Sequence, residues 1–249
     1  MRYDTSRGEF RLSLGDSNNA LIKLIAINLI VFITLSLCRA YYFFFYQDMA
    51  ALEAAFRQQV LQWFVLSPDL SKLISRPWTF FVFPFASLGV WMILGNMLWL
   101  WAFGFILQDL SGYRRMIPLY LYGGWAGGIA YLITAQFMKM PLDTIGYYNP
   151  APSVMAIAVA TTLLTPNYRI MPDLRGGFPL WILTAFYVLI SIATQPIDQP
   201  QQYLPLIAGG LTGFLFMYLL QKGYDTSRWM SNFFEWAQNL FNPDKARRS

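Results

Sequence analysis

Residues 153–164 read Ser-Val-Met-Ala-Ile-Ala-Val-Ala-Thr-Thr-Leu-Leu, an apolar run of twelve residues. As a helix rising about 1.5 Å per residue it covers about 18 Å, well short of about 30 Å of bilayer hydrocarbon. Such a helix must begin partway down the membrane, below backbone that protein or water shields. Working outward, five further apolar stretches occupy residues 20–45, 88–106, 116–138, 178–194 and 203–220. The pattern predicts an all-α integral membrane protein, a six-transmembrane-helix bundle whose fourth helix is short. A short helix inside such a bundle marks a functional cavity.

Composition agrees. Of 249 residues, 56% are hydrophobic and 12% charged, about half the charge of an ordinary soluble domain. The length leaves no room for a second domain. A net charge of +5 raises the question of nucleic acid, but the Lys and Arg lie in short segments between apolar runs and read as topology signals, so no nucleic-acid partner is expected. The chain has no histidine and one cysteine, Cys38, inside the first apolar run. That excludes an internal disulfide and removes the usual transition-metal ligands, so neither metal nor cofactor is expected. Cys38 itself reads as a small buried hydrophobe.

With six spans both termini share a side. Thirteen of the 18 Lys and Arg fall on that side, leaving Arg39, Arg57, Lys72, Arg76 and Lys139 opposite, so both termini are expected in the cytoplasm. Residues 1–19 form an N-terminal segment, 20–222 the membrane domain and 223–249 a tail. About forty residues separate the first two runs, and there Leu52, Phe56, Val60 and Phe64 recur four apart, with Glu53, Arg57 and Gln58 on the other face. This predicts an interfacial amphipathic helix over residues 48–64, capped by Asp48. A second is expected in the tail, with Trp229, Met230, Phe233, Phe234, Trp236 and Leu240 on one face.

Small residues mark close helix contacts. Gly123, Gly124, Gly127 and Gly128 form two overlapping pairs spaced by four, and Gly209 with Gly213 forms another. No acidic residue lies within a predicted span, which argues against ion-coupled transport.

Several of these segments resemble, in order, the core of rhomboid intramembrane serine proteases, particularly bacterial ones. Arg76-Pro77-Trp78-Thr79-Phe80-Phe81 resembles the entry to the family's second span, and Met92-Ile93-Leu94-Gly95-Asn96-Met97-Leu98-Trp99 resembles its His-x-x-x-Asn helix. The long first connection, the Gly-rich third span, the shortened fourth and Ala208-Gly209-x-x-x-Gly213 also fit. The resemblance runs over about residues 20–220 and implies a catalytic Ser at the top of the fourth helix, paired with a His on the sixth. It places the nucleophile at Ser153 and the base at Leu206.

A Ser hydroxyl is a poor nucleophile until a base takes its proton, and Leu206 takes none. The family's Gly-x-Ser-Gly turn is here Ala151-Pro152-Ser153-Val154, with side chains at Ala151 and Val154 where backbone must approach a substrate, and no N–H on Pro152. Met92 stands where the family has an oxyanion-binding His, while Asn96 remains. Met92, Asn96, Pro152 and Val154 therefore read as a vestigial oxyanion region. Ile157 replaces an aromatic that in the family packs on the catalytic His, so both sides of that contact are aliphatic.

For the remnants, Ser153 reads most simply as a helix N-cap and Asn96 as a buried polar residue bonding between helices. Lys139 is the only other base near Ser153 by sequence. These residues together predict a non-catalytic rhomboid-like protein that contacts membrane lipids and binds transmembrane segments or other membrane proteins, for retention, escort or assembly. Two alternatives stand beside it: an active intramembrane serine endopeptidase using Ser153 with a base other than His, and a fixed structural subunit of a membrane complex.

Overall fold

The computed structural model describes residues 19–141, 144–170, 177–196, 199–230, 232–233 and 236. The expected N-terminal segment and most of the expected tail helix lie outside them. The first helix, α1 (Ala20–Phe45), starts where Asn19 Oδ1 accepts the Ile22 N–H at 3.2 Å. Its outward side chains, Ile30, Ile33 and Leu37 among them, are exposed and present hydrocarbon to lipid.

The connection that follows folds into three short helices, α2 (Met49–Gln59), α3 (Leu70–Ser75) and α4 (Thr79–Val82). Asp48 caps α2 by accepting the Ala50 and Ala51 N–H groups, and Leu52 and Phe56 are buried beneath it. The helix expected over 48–64 is broken: at Val60 the backbone leaves α geometry, and Leu61–Trp63 forms a 3₁₀ turn. The apolar repeat continues through the break, which is why periodicity alone ran on.

Helices α5 (Val90–Ser111), α6 (Met116–Phe137), α7 (Ala151–Leu164), α8 (Leu180–Ala193) and α9 (Tyr203–Gln221) complete the bundle. Four segments are long and apolar enough to cross a membrane: Ala20–Phe45, Val90–Ser111, Tyr113–Phe137 and Tyr203–Gln221. Helices α7 and α8 have 14 residues each, about 21 Å. The brevity of α8 was not foreseen. Its expected first residues, Phe178 and Pro179, instead form strand β2 (Phe178–Pro179), antiparallel to β1 (Arg169–Ile170).

Helix α7 is the axis of the fold. Ala151 to Ala158 are all buried, because α5, α6 and α9 surround the helix. A helix apolar on every side belongs in that position. Cys38 is half-buried against the α1–α2 cluster rather than enclosed.

A polar network absent from the sequence reading ties the bundle together. Asn28, fully buried on α1, donates to Leu24 O at 2.8 Å and faces the Tyr120 hydroxyl of α6 at 3.0 Å. That hydroxyl also lies 2.9 Å from Pro84 O. In hydrocarbon each of these groups would otherwise remain unsatisfied.

Candidate functional site

The first turn of α7 is set by Asn149, whose Oδ1 accepts the Ala151 N–H at 2.9 Å. Pro152 sits in that turn, where its missing N–H costs no intrahelical bond. Ser153 is therefore a residue inside the helix and not its N-cap; the cap position is Pro150, and Asn149 holds the turn that leads into it. The Ser153 hydroxyl is completely enclosed, with no hydrogen-bond partner among the described residues. It is directed at α6: a Cβ added at Gly124 would lie 2.7 Å from Ser153 Oγ. Tyr120 stands beside it, short of hydrogen-bond geometry, its hydroxyl engaged by Asn28 and Pro84.

The six glycines singled out by spacing all lie where backbone meets a neighbour. A Cβ at Gly123 would come within 2.5 Å of Ala156 Cβ, at Gly127 within 2.6 Å of the Pro152 ring, and at Gly128 within 2.6 Å of the Phe83 ring. On α9 the approach is to backbone itself, 2.3 Å from Pro152 O at Gly209 and 2.2 Å from Ala156 O at Gly213. Helix α7 is thus clamped between α6 and α9. Leu206 is buried in the same apolar cluster as Val154 and Ile157.

Beside this clamp lies a cavity of about 850 Å³, between α5, the loop before α7, α8 and the start of α9. Met92 and Asn96 line it, and so does Ala151, but Pro152, Ser153, Val154 and Leu206 do not. The residues expected together as one degenerate site are divided between an open cavity and a sealed helix contact. Asn96 bonds within its own helix, Nδ2 to Met92 O at 2.9 Å, rather than between helices. It is half-exposed and lines the cavity.

The cavity walls carry no charged side chain among the described residues; their polar groups are amides, hydroxyls and phenols. Three phenols, Tyr131, Tyr147 and Tyr187, are at most 3% exposed, and their hydroxyls have no hydrogen-bond partner among the described residues. Tyr131 and Tyr147 stack with ring centroids 5.0 Å apart, and Tyr187 packs on Trp99 at 5.0 Å. Burial pushes the Tyr147 phenol far above its ordinary pKa, so it stays a neutral donor. Leu66 and Tyr147 exchange backbone hydrogen bonds at 2.9 and 2.8 Å and hold this wall in place. A Cβ at Gly146 would lie 2.4 Å from Leu66 O, so that position needs glycine. Sequence reasoning missed all three tyrosines; the clue available was Gly146-Tyr147-Tyr148-Asn149, aromatic and polar just before the short helix.

Lys139 is exposed at the C-terminal end of α6 with φ of 47°. Met140 N–H reaches back to Ala135 O at 3.1 Å, so Lys139 occupies the left-handed residue of a helix-terminating turn. Among the described residues no amine lies within hydrogen-bond distance of Ser153 Oγ.

A bundle of long apolar helices with lipid-facing hydrocarbon on its outside defines an integral, multi-pass membrane protein. The Rhomboid domain family model matches residues 75–223, more than half of the chain, and the protein belongs to the rhomboid family. No curated protein matches the chain.

Proposed function

We propose that this protein is a rhomboid pseudoprotease that binds transmembrane segments or other membrane proteins without cleaving them. The observation that carries the reading is the separation of the two halves of the site. Ser153, the family's nucleophile position, is fully buried against Gly124 with no base in reach among the described residues, while the cavity beside it is large and its described lining uncharged. Hydrolysis needs the hydroxyl, a proton acceptor and anion donors to meet at one carbonyl. Here Leu206 replaces the acceptor and Met92 replaces a donor.

Binding needs less. A client helix entering between α5 and α8 meets Trp99 and the amides that line the cavity, with the rings of Tyr131, Tyr147 and Tyr187 packed in its wall. Helices α7 and α8 join the four long ones as spans in this reading, giving six, with both termini cytoplasmic and a bacterial cytoplasmic membrane as the setting.

The test is photo-crosslinking in the native membrane from a photoreactive residue at Thr144, on the cavity wall, and at Ile30 on the lipid face of α1 as control. The reading expects discrete protein adducts from Thr144 that are absent from Ile30. Adducts of one constant partner at both positions would instead indicate a fixed subunit. Appearance of a cleaved client that disappears with Ser153→Ala would indicate a protease.

A further inference from the structure

Inside a membrane helix a glycine serves where another chain must come close; elsewhere alanine holds the helix more firmly. Most helix glycines of this protein are explained by its own packing. An added Cβ would lie within 2.7 Å of a neighbour at Gly104 of α5, at the four glycines of α6, and at Gly209 and Gly213 of α9. Gly95, near the start of α5, is different, because a Cβ there would meet nothing within 4 Å. The side of α5 that faces the bundle is carried by Ile93, Met97 and Leu100, all buried, whereas Gly95 is part of the cavity wall.

Trp91 and Trp99 stand four residues to either side of Gly95, so the three fall in one row along α5, and all three line the cavity. The row is two indoles about 12 Å apart along the helix with bare backbone between them. Trp99 is held in place, packed on Tyr187 with ring centroids 5.0 Å apart and on Phe103 at 5.9 Å. Trp91 is 86% exposed. With an indole on each side, the backbone of a second helix cannot close onto Gly95 along this row. A single long side chain can reach it, as a knob enters a hole.

The walls select the chemistry of that side chain. No charged residue lines the cavity among the described residues, so a charged group brought there would lose its hydration without gaining a counterion. Aromatic flanks favour an apolar group. Gly95 lies five residues beyond Val90, about 7.5 Å along α5, which sets the hole within two turns of the end of a helix lying beside α5. We infer that Gly95 is a specificity-determining residue of this cavity, the floor of a hole between Trp91 and Trp99 that receives one bulky apolar side chain from near the end of a client's transmembrane helix. The inference rests on the proposed binding of transmembrane segments and names the feature of the client that is read.

Binding of synthetic single-span peptides to the protein in phosphatidylcholine vesicles is read by energy transfer between dyes. The peptides have leucine in the middle third and alanine in both outer thirds, with no Phe or with one Phe at each of four successive positions of an outer third. The parent should bind the best Phe peptide about tenfold more tightly than the Phe-free one. Gly95→Leu, which fills the hole, should bind the two alike, and Gly95→Ala should lose about threefold of the preference. Equal binding of the two peptides by the parent, or binding of neither, would overturn the inference, and so would an undiminished preference in either folded variant. Gly95→Ala keeps the test open where Gly95→Leu fails to fold, because its Cβ meets nothing within 4 Å. Adducts from Thr144 that survive Gly95→Leu unchanged would also overturn it while leaving the binding of clients intact. The absence of any Thr144 adduct from the parent would instead remove that reading itself.

Discussion

Replacing Gly209 by alanine tests the clamp on α7 directly. The added Cβ would sit 2.3 Å from Pro152 O and 2.8 Å from Pro152 C and Cα, all of them backbone atoms. Ordinary contact begins near 3.4 Å, so α9 must move off α7 by roughly 1 Å, and no rotamer change can absorb it. Overpacking of this kind costs about 1–3 kcal/mol. Gly→Ala within a helix returns up to about 1 kcal/mol of backbone entropy, and a clash against backbone falls at the upper end of the overpacking range, leaving a net loss of about 2 kcal/mol. Gly210, next along the chain, supplies the control, because a Cβ there meets nothing closer than Met155 Cγ at 3.5 Å. Gly210→Ala should be neutral or slightly stabilising. Reversible unfolding in mixed micelles with increasing sodium dodecyl sulfate measures both. A Gly209→Ala protein as stable as the parent, or a Gly210→Ala protein as damaged as Gly209→Ala, would refute the clamp.

Restoring a histidine alone, by Leu206→His, leaves Pro152, Val154 and Met92 in place and should yield no cleavage of a reconstituted transmembrane substrate; cleavage would show the account of the site to be wrong. Tyr120→Phe removes the hydroxyl facing Asn28 Oδ1 and Pro84 O, and should destabilise the bundle by about 1–3 kcal/mol in the same unfolding assay. For Asp225, burial raises the carboxyl pKa, but hydrogen bonds from the Ser227 hydroxyl and N–H and the charge of Arg115 outweigh it, so the value falls below the ordinary 3.8. A depressed carboxyl contributes stability above its unfolded value and loses it as pH falls through the folded one. The segment docked on α6 by Trp229 and Tyr122 should therefore loosen only below about pH 4, and Asp225→Asn should abolish that transition in the emission of Trp229, read against a Trp229→Phe control.

The parts of the fold legible in sequence were those written by composition over long windows. Hydrocarbon runs gave α1, α5, α6 and α9 to within a few residues at most ends, and spacing by four exposed the glycines that face α7. Interruptions that keep the apolar pattern were not legible: Val60 ends α2 while the repeat runs on, and Pro179 shortens α8 from within an apolar stretch. Single polar residues in apolar runs, such as Asn28 and Tyr187, gave no local sign of what they face, since their meaning depends on helices distant in sequence.

At the site, the absence of histidine was plain from composition, and of Met92, Asn96, Pro152 and Val154, read together as a vestigial oxyanion region, Met92 and Asn96 line the cavity. The direction of the Ser153 hydroxyl was not available, because it depends on α6 presenting Gly124 at that level of α7. Position along the chain suggested a helix cap, and the structure puts Pro150 at the cap and Ser153 inside the helix.

The central claim, that Ser153 has neither access nor a base, is tested most directly by treating the purified protein in detergent with a fluorophosphonate probe. The account predicts no covalent labelling over hours at neutral pH. Stoichiometric labelling at Ser153 that is lost on Ser153→Ala would contradict it.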